Sequence, residues 1–288
     1  MYLKLVIINY YIRYSNNHKS IKMKKTLLIS FLLLFINVIS AQQDLALLGY
    51  RNIPQEEMKT FIQNEAIYWS KVAAVLKGKN QITGWAIHAK VGGGRASEAN
   101  IMTRVAPGTW ENYENLGKNY AAAEKQVREE MDPALWALLE DDLKQDKYNV
   151  ASLLVQNASK GVWAKNSNWN YVVQNFVKAT NPVNYLAEEE RIMAPFFKKM
   201  IKQGGTKMKG WTTVTVLSPT GYDYSFNVFT VDFYENLSDV FNPFTSDSVE
   251  WPSEMASLGE MKTPGFWKRV VWKRAMYLDD NNNLVDNR

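Results

Sequence analysis

The sequence predicts an α+β fold in which one strand–helix–strand–strand–helix–strand unit occurs twice in a chain of 288 residues. Three ordered matches carry this reading. Ile82-Thr83-Gly84-Trp85 and Met208-Lys209-Gly210-Trp211 share a Gly-Trp pair. Asn100-Ile101-Met102-Thr103 matches Asn227-Val228-Phe229-Thr230, and Tyr113-Glu114-Asn115-Leu116 recurs as Tyr234-Glu235-Asn236-Leu237. The offsets are 126, 127 and 121 residues, so one length change around Ala106 to Glu111 brings the copies into register. Self-similarity on this scale is the signature of a duplicated unit.

The first copy opens on a strand, Leu45 to Arg51, although Leu45 to Leu48 alone would also fit a helical turn. A helix follows. Pro54 suits its first position, and Met58, Phe61, Ile62, Trp69, Val72, Ala73 and Leu76 fall at helical spacing. The Gly-Trp strand runs from Trp85 to Lys90, and Gly92-Gly93-Gly94 turns the chain into the strand that begins at Asn100. Trp110, Tyr113, Leu116, Tyr120, Ala123 and Val127 then form one face of a second helix. Asp132-Pro133 restarts a short helix to about Leu143, and Tyr148 to Gln156 is the closing strand. Asn157 to Asn168 reads as a linker.

The second copy repeats the order. Tyr171 to Lys178 is a strand, and Asn181-Pro182 can start a helix that Gly204-Gly205 stops. Tyr185, Leu186, Met193, Phe196, Phe197, Met200 and Ile201 form its apolar stripe, and Pro195 predicts a kink or break. The Gly-Trp strand extends to Leu217, Ser218-Pro219-Thr220-Gly221 turns, and a strand follows in which Tyr222 to Phe229 is mostly apolar on both faces. Trp267 to Leu278 closes the copy. The expected organisation is an upstream extension (1–22), a signal peptide (23–41), a first repeat (42–160), a linker (161–167), a second repeat (168–278) and a polar tail (279–288).

The leader is read from three parts. Met23-Lys24-Lys25 is a positive start, Thr26 to Ile39 is an apolar run of 14 residues, and Ser40-Ala41 supplies the small residues of a cleavage site. A membrane span needs about 20 apolar residues, so the run predicts export, with cleavage after Ala41 or Ser40, to a periplasmic or secreted location. The leader also explains the net charge of +5. Residues 1–41 carry six basic side chains and no acid, leaving 28 basic against 29 acidic residues. A near-neutral body has no strong pull on phosphates, so no nucleic-acid partner is expected. With no cysteine, thiolate catalysis and Cys-based zinc sites are excluded.

A βαββαβ unit is the ferredoxin-like plait. With its Gly-Trp strand, hairpin and second helix, residues 45–278 resemble the dimeric α/β-barrel superfamily, which includes antibiotic monooxygenase-like, EthD-like and NIPSNAP-like proteins. The resemblance rests on topology and duplication. It implies two tandem plaits that face each other as an intrachain pseudo-dimeric barrel whose lumen holds a ligand. It also implies a monomer with pseudo-twofold repeats. The fused, haem-binding members of the group use a proximal histidine in a helical region. The second copy here has no histidine, so no haem or other cofactor is expected.

His88 is the only histidine beyond the leader, mid-strand and aligned with Val214 of the second copy. It reads as an acid–base group in the lumen or as a packed, hydrogen-bonded side chain. Arg104 aligns with Val231, a polar group where the sibling is apolar. His88 and Arg104 are the catalytic candidates, and Asn100, Asn227 and Tyr224 the ligand-binding ones, with Arg95 behind them. Val91 to Arg95 lacks the Gly-Lys-Ser/Thr ending of a phosphate loop and reads as a hairpin. Trp85 and Trp211 read as core. Trp163, Trp169, Trp251, Trp267 and Trp272 could stack on a ligand or pack the repeat interface. Glu188-Glu189-Glu190 and Asp141-Asp142 read as solvated helix faces, because adjacent helical residues point apart. One histidine builds no ordinary metal cluster. These features leave three functions: a small-molecule binding protein, a cofactor-independent monooxygenase- or isomerase-like enzyme, and an interaction module with a filled lumen.

Overall fold

A computed structural model describes residues 44–288 apart from 93–97, 144–147, 166, 222–223, 265–267 and the side chains of 141–143. The leader, Arg95 and Trp267 therefore lie outside the described residues. The first copy comprises β1 (Leu45–Arg51), α1 (Met58–Asn64), a π-helical turn (Glu65–Trp69), α2 (Ser70–Gly78), β2 (Gly84–Lys90), β3 (Ile101–Gly108), α3 (Trp110–Glu114), α4 (Leu116–Glu130), α5 (Pro133–Leu143) and β4 (Asn149–Asn157). A short β5 (Val162–Trp163) leads to the second copy. That copy holds β6 (Tyr171–Val177), α6 (Pro182–Gln203), β7 (Gly210–Ser218), β8 (Val228–Tyr234), α7 (Leu237–Phe241), α8 (Met255–Glu260) and β9 (Lys268–Leu278), followed by β10 (Leu284–Asp286).

The four long strands of each copy pair in the same order, β2-β3-β1-β4 and β7-β8-β6-β9. Two seams, β4 against β7 and β2 against β9, join them into a closed eight-stranded antiparallel barrel. Closure leaves no long exposed edge. Side chains alternate between the lumen and the helices. Ala46, Leu48 and Tyr50 of β1 face inward with Val172 and Phe176 of β6. Leu45 of β1 and Val173 and Val177 of β6 take the outer phase, the last two packing under α6. Strands covered on both faces read as near-continuous apolar runs. That is why Leu45 to Leu48 is a strand although its composition fits a helix.

Helix boundaries follow local chemistry. Thr109 caps α3 by accepting the Asn112 N–H, and Asn181 caps α6 by accepting from Asn184 with Pro182 in the first turn. Gly204, at φ 69°, ends α6 in the left-handed conformation. Three expectations are corrected. The α6 helix continues through Pro195, since one lost backbone bond is outweighed by the buried stripe that includes Tyr185, Met193 and Phe197. The second helix of the second copy shrinks to α7 and α8, because Pro243 and Pro252 interrupt the intervening chain. The strand expected over Tyr222 to Phe229 begins only at Val228. The linker and the tail each carry a short strand: β5 pairs with Trp211 and Gly210, and β10 takes the edge of β9 that β6 leaves free.

Candidate functional site

The lumen is divided across its middle. Tyr50 from β1, Gln174 from β6 and Trp272 from β9 meet there, all buried. The Tyr50 hydroxyl donates to Gln174 Oε1 at 3.1 Å, and the Trp272 indole N–H donates to the same oxygen at 2.8 Å. On one side lies a chamber of about 290 Å³, on the other a chamber of about 280 Å³. The second chamber is lined by Tyr50, Phe176, Phe226 and Trp272, and its cations are satisfied: Lys90 pairs with Glu98 at 2.6 Å and Lys268 approaches the same carboxylate at 3.8 Å.

The first chamber holds the chemistry. Strand register sets out two rows of residues. In one, Ala86 lies between Arg104 and Tyr277; in the other, His88 lies between Met102 and Arg274. Arg274 and Tyr277 are three residues apart, so a regular strand would send them to opposite faces. A register shift in β9 opposite Ile87 and His88 leaves Ala275 unpaired and reverses the phase. Such a bulge re-aims side chains. Here it brings both residues to the chamber, while Met276 turns outward to the helix layer.

The Gly-Trp repeat gains a meaning at this site. Trp85 and Trp211 are core residues, as expected. Their glycines make room inside. A Cβ on Gly84 would come within 3.2 Å of an Arg104 guanidinium nitrogen, and one on Gly210 within 2.3 Å of the Trp163 ring. The glycines thus let a guanidinium in one copy and an indole in the other lie close against the strand.

The chamber wall is aromatic. Trp163 packs on Phe233 at 4.7 Å and Phe233 on Trp169 at 5.0 Å between ring centroids. The Arg274 guanidinium is sandwiched between Trp169 at 3.9 Å and Tyr277 at 3.7 Å. His88 is 2% exposed and nearly parallel to Trp169. Burial, then the charges of Arg104 and Arg274, push its pKa down to about 3, against a smaller opposing hydrogen bond with the Met102 backbone. The imidazole is therefore neutral at physiological pH, and its Nδ1 has no hydrogen-bond partner. Among the described residues neither Arg104 nor Arg274 has an ion-pair partner, and burial holds both guanidinium pKa values below normal. Asp44 lines the rim and its charge partly offsets the shift at Arg104, but its carboxylate is hydrogen-bonded by Asn157.

The sequence candidates separate cleanly. His88 and Arg104 come together in the first chamber, and their repeat partners Val214 and Val231 line the same space. Asn100 and Asn227, the ligand-binding candidates, do not line it. Asn100 accepts the Ile53 N–H at 2.9 Å and donates to the Ile53 carbonyl at 2.7 Å. Asn227 makes the same pair of bonds to Ala179, at 2.8 and 2.9 Å. These amides are backbone clamps repeated in both copies. Tyr224 is surface-exposed, and its carbonyl accepts from Lys178. Trp163 and Trp169 do face the chamber, whereas Trp251 stacks on Phe196. Glu189 is not solvated: it is buried, and its carboxyl pKa is raised by burial. Sequence reasoning missed Arg274, because Lys273-Arg274 gives no sign of which side chain faces inward. It missed Gln174 too, although a glutamine amid Val172, Val173 and Phe176 is a visible anomaly.

The described residues hold no cluster of metal-ligating side chains, and no helix among them is long and apolar enough to cross a membrane. His88 is a strand residue wedged beside two guanidiniums.

No protein-family model matches the chain, and no curated protein is detectably similar in sequence. Similar solved structures include an anthrone oxidase-like protein, at 12% identity and a TM-score of 0.52, covering 86% of this chain and 98% of the other. A proposed monooxygenase of Fusobacterium nucleatum aligns at 11% identity and a TM-score of 0.49, over 86% and 100% of the two chains. One of Lactobacillus acidophilus aligns at 7% and 0.46, over 85% and 97%. Identities this low speak to the fold alone. The strand order, the closed barrel and the coverage of the first of these structures agree: the chain has the dimeric α/β-barrel fold, with both halves supplied by one polypeptide.

Proposed function

We propose that this is an exported, monomeric binding protein whose first chamber takes a planar aromatic anion, a carboxylate or a phenolate. One observation carries the reading. Arg104 and Arg274 face an aromatic-walled cavity without an ion-pair partner among the described residues. Holding charge away from water is costly unless it is paired. An aromatic ring would extend the stack of Trp169, Phe233 and Trp163, and an anionic group would complete the guanidiniums.

The test uses 2-naphthoate and its neutral analogue 2-naphthamide, with binding followed by calorimetry. Naphthoate is expected to bind more tightly. Arg104→Met or Arg274→Met should weaken it about tenfold or more, since hydrogen bonds to charged groups contribute about 1.5–3 kcal/mol. Equal affinity for the two compounds would sink the reading.

A second reading is favoured by the free Nδ1 of neutral His88. As the resulting anion pairs with the two guanidiniums, their charge no longer opposes protonation of the imidazole, and that nitrogen can take the proton of an acidic aromatic ketone or phenol. This would make the chamber an enzyme site of the monooxygenase- or isomerase-like kind. Solvent deuterium exchange into such a ketone, abolished in His88→Gln, separates it from simple binding.

A further inference from the structure

We infer that Gln174 sets the polarity that the first chamber accepts, because its side-chain amide is locked with the NH₂ group toward the ligand. The inference rests on the aromatic-anion reading and deepens it.

Which end of a glutamine amide carries the oxygen is ordinarily ambiguous. Here a neighbour decides. The indole N–H of Trp272 can only donate, and it lies 2.8 Å from the Gln174 atom in question. That atom must be the oxygen. The Tyr50 hydroxyl donates to the same oxygen at 3.1 Å, and burial raises the Tyr50 pKa, so it stays protonated. Two donors on one oxygen leave the Nε2 on the other side, and Gln174 lines the first chamber.

That NH₂ makes no hydrogen bond among the described residues, although Gln174 is 2% exposed. Its neighbours around the chamber, Val172, Val214, Phe229 and Val231, offer side chains that cannot accept. The donor therefore opens on the chamber, where a guest can meet it. With Arg104 and Arg274, the amide gives the chamber a set of donors from three separate strands. A carboxylate can accept from any of them. A carboxamide must turn its own NH₂ toward at least one donor, and that mismatch costs about 1–3 kcal/mol.

The selectivity is thus held from outside the chamber. Tyr50 and Trp272 line the second chamber, not the first, yet they fix what the first one presents. Gln174 would touch the ligand; Tyr50 and Trp272 are positioning residues.

The test compares the affinity ratio of 2-naphthoate to 2-naphthamide in the intact protein and in three variants. Gln174→Leu removes the donor. Tyr50→Phe and Trp272→Phe each remove one lock while leaving the first chamber's lining intact. The ratio is expected to fall about tenfold in Gln174→Leu. It should fall by a smaller factor in each lock variant, as the amide becomes free to turn its oxygen inward. In ¹⁵N-labelled protein, the Gln174 side-chain NH₂ resonance should shift more with naphthoate than with naphthamide. The lock variants keep the proposal testable if Gln174→Leu fails to fold. An unchanged ratio in the folded variants would overturn the role of Gln174 and leave the anion reading standing. Failure of the unmodified protein to prefer naphthoate would overturn both.

Discussion

His88 shows how a residue's surroundings can reverse what its type suggests. A histidine in a chamber invites the picture of a group that titrates near neutrality. Burial and two guanidiniums instead hold it neutral, with its pKa near 3 against an ordinary value of 6.5. The unfolded chain therefore binds a proton in this range that the folded chain refuses. Stability contributed at this position is full above pH 6.5 and is lost as the pH falls toward 3. His88→Gln should flatten that part of the pH–stability curve, measured by urea unfolding between pH 4 and 7; an unaltered slope would count against the buried, neutral imidazole. His88 and Arg104 were legible in the sequence because they break an otherwise apolar repeat alignment. Asn100 and Asn227 are the complementary case. The same amide stands in both copies, and identical backbone clamps at Ile53 and Ala179 account for it.

Elements were legible where periodicity was strong. The α2, α4 and α6 helices and seven of the eight barrel strands can be read from apolar spacing and from the Gly-Trp and Asn landmarks; β8 lies later than its apolar run suggested. The divided helix of the second copy was obscured because Tyr-Glu-Asn-Leu recurs there, while the following chain, with Pro243 and Pro252, cannot extend as its sibling does. The bulge at Ala275 leaves no sequence signal at all, since an extra residue in a strand changes the pairing and not the composition. The two strand-opening glycines predict unequal responses. At Gly84 an added methyl meets the mobile end of Arg104, which can shift. At Gly210 it would occupy the space of the rigid Trp163 ring. Gly210→Ala should expel that indole, which is already 44% exposed. The expected result is red-shifted tryptophan emission and weaker naphthoate binding, with a much smaller effect from Gly84→Ala. Equal responses would show that the glycines do not set the chamber wall.

At the scale of the whole molecule, closure by β4–β7 and β2–β9 means that each copy meets its structural partner within the same chain. Duplication was readable because its landmarks are collinear, but closure was an inference from resemblance until the seams could be followed strand by strand. If the leader is removed as its pattern predicts, the exported protein begins at Gln42 or Ala41, just before β1. N-terminal sequencing and sedimentation of that product should find this end and the mass of a single chain; an obligate dimer would contradict a self-contained barrel. Joining the copies has a further effect on whatever enters. Two identical halves can offer a guest only twofold-related choices: any head-first pose has an equal tail-first twin. Here one half supplies His88 and Arg104 where the other supplies Val214 and Val231. The degeneracy is gone, so a guest with distinct ends would have one preferred heading.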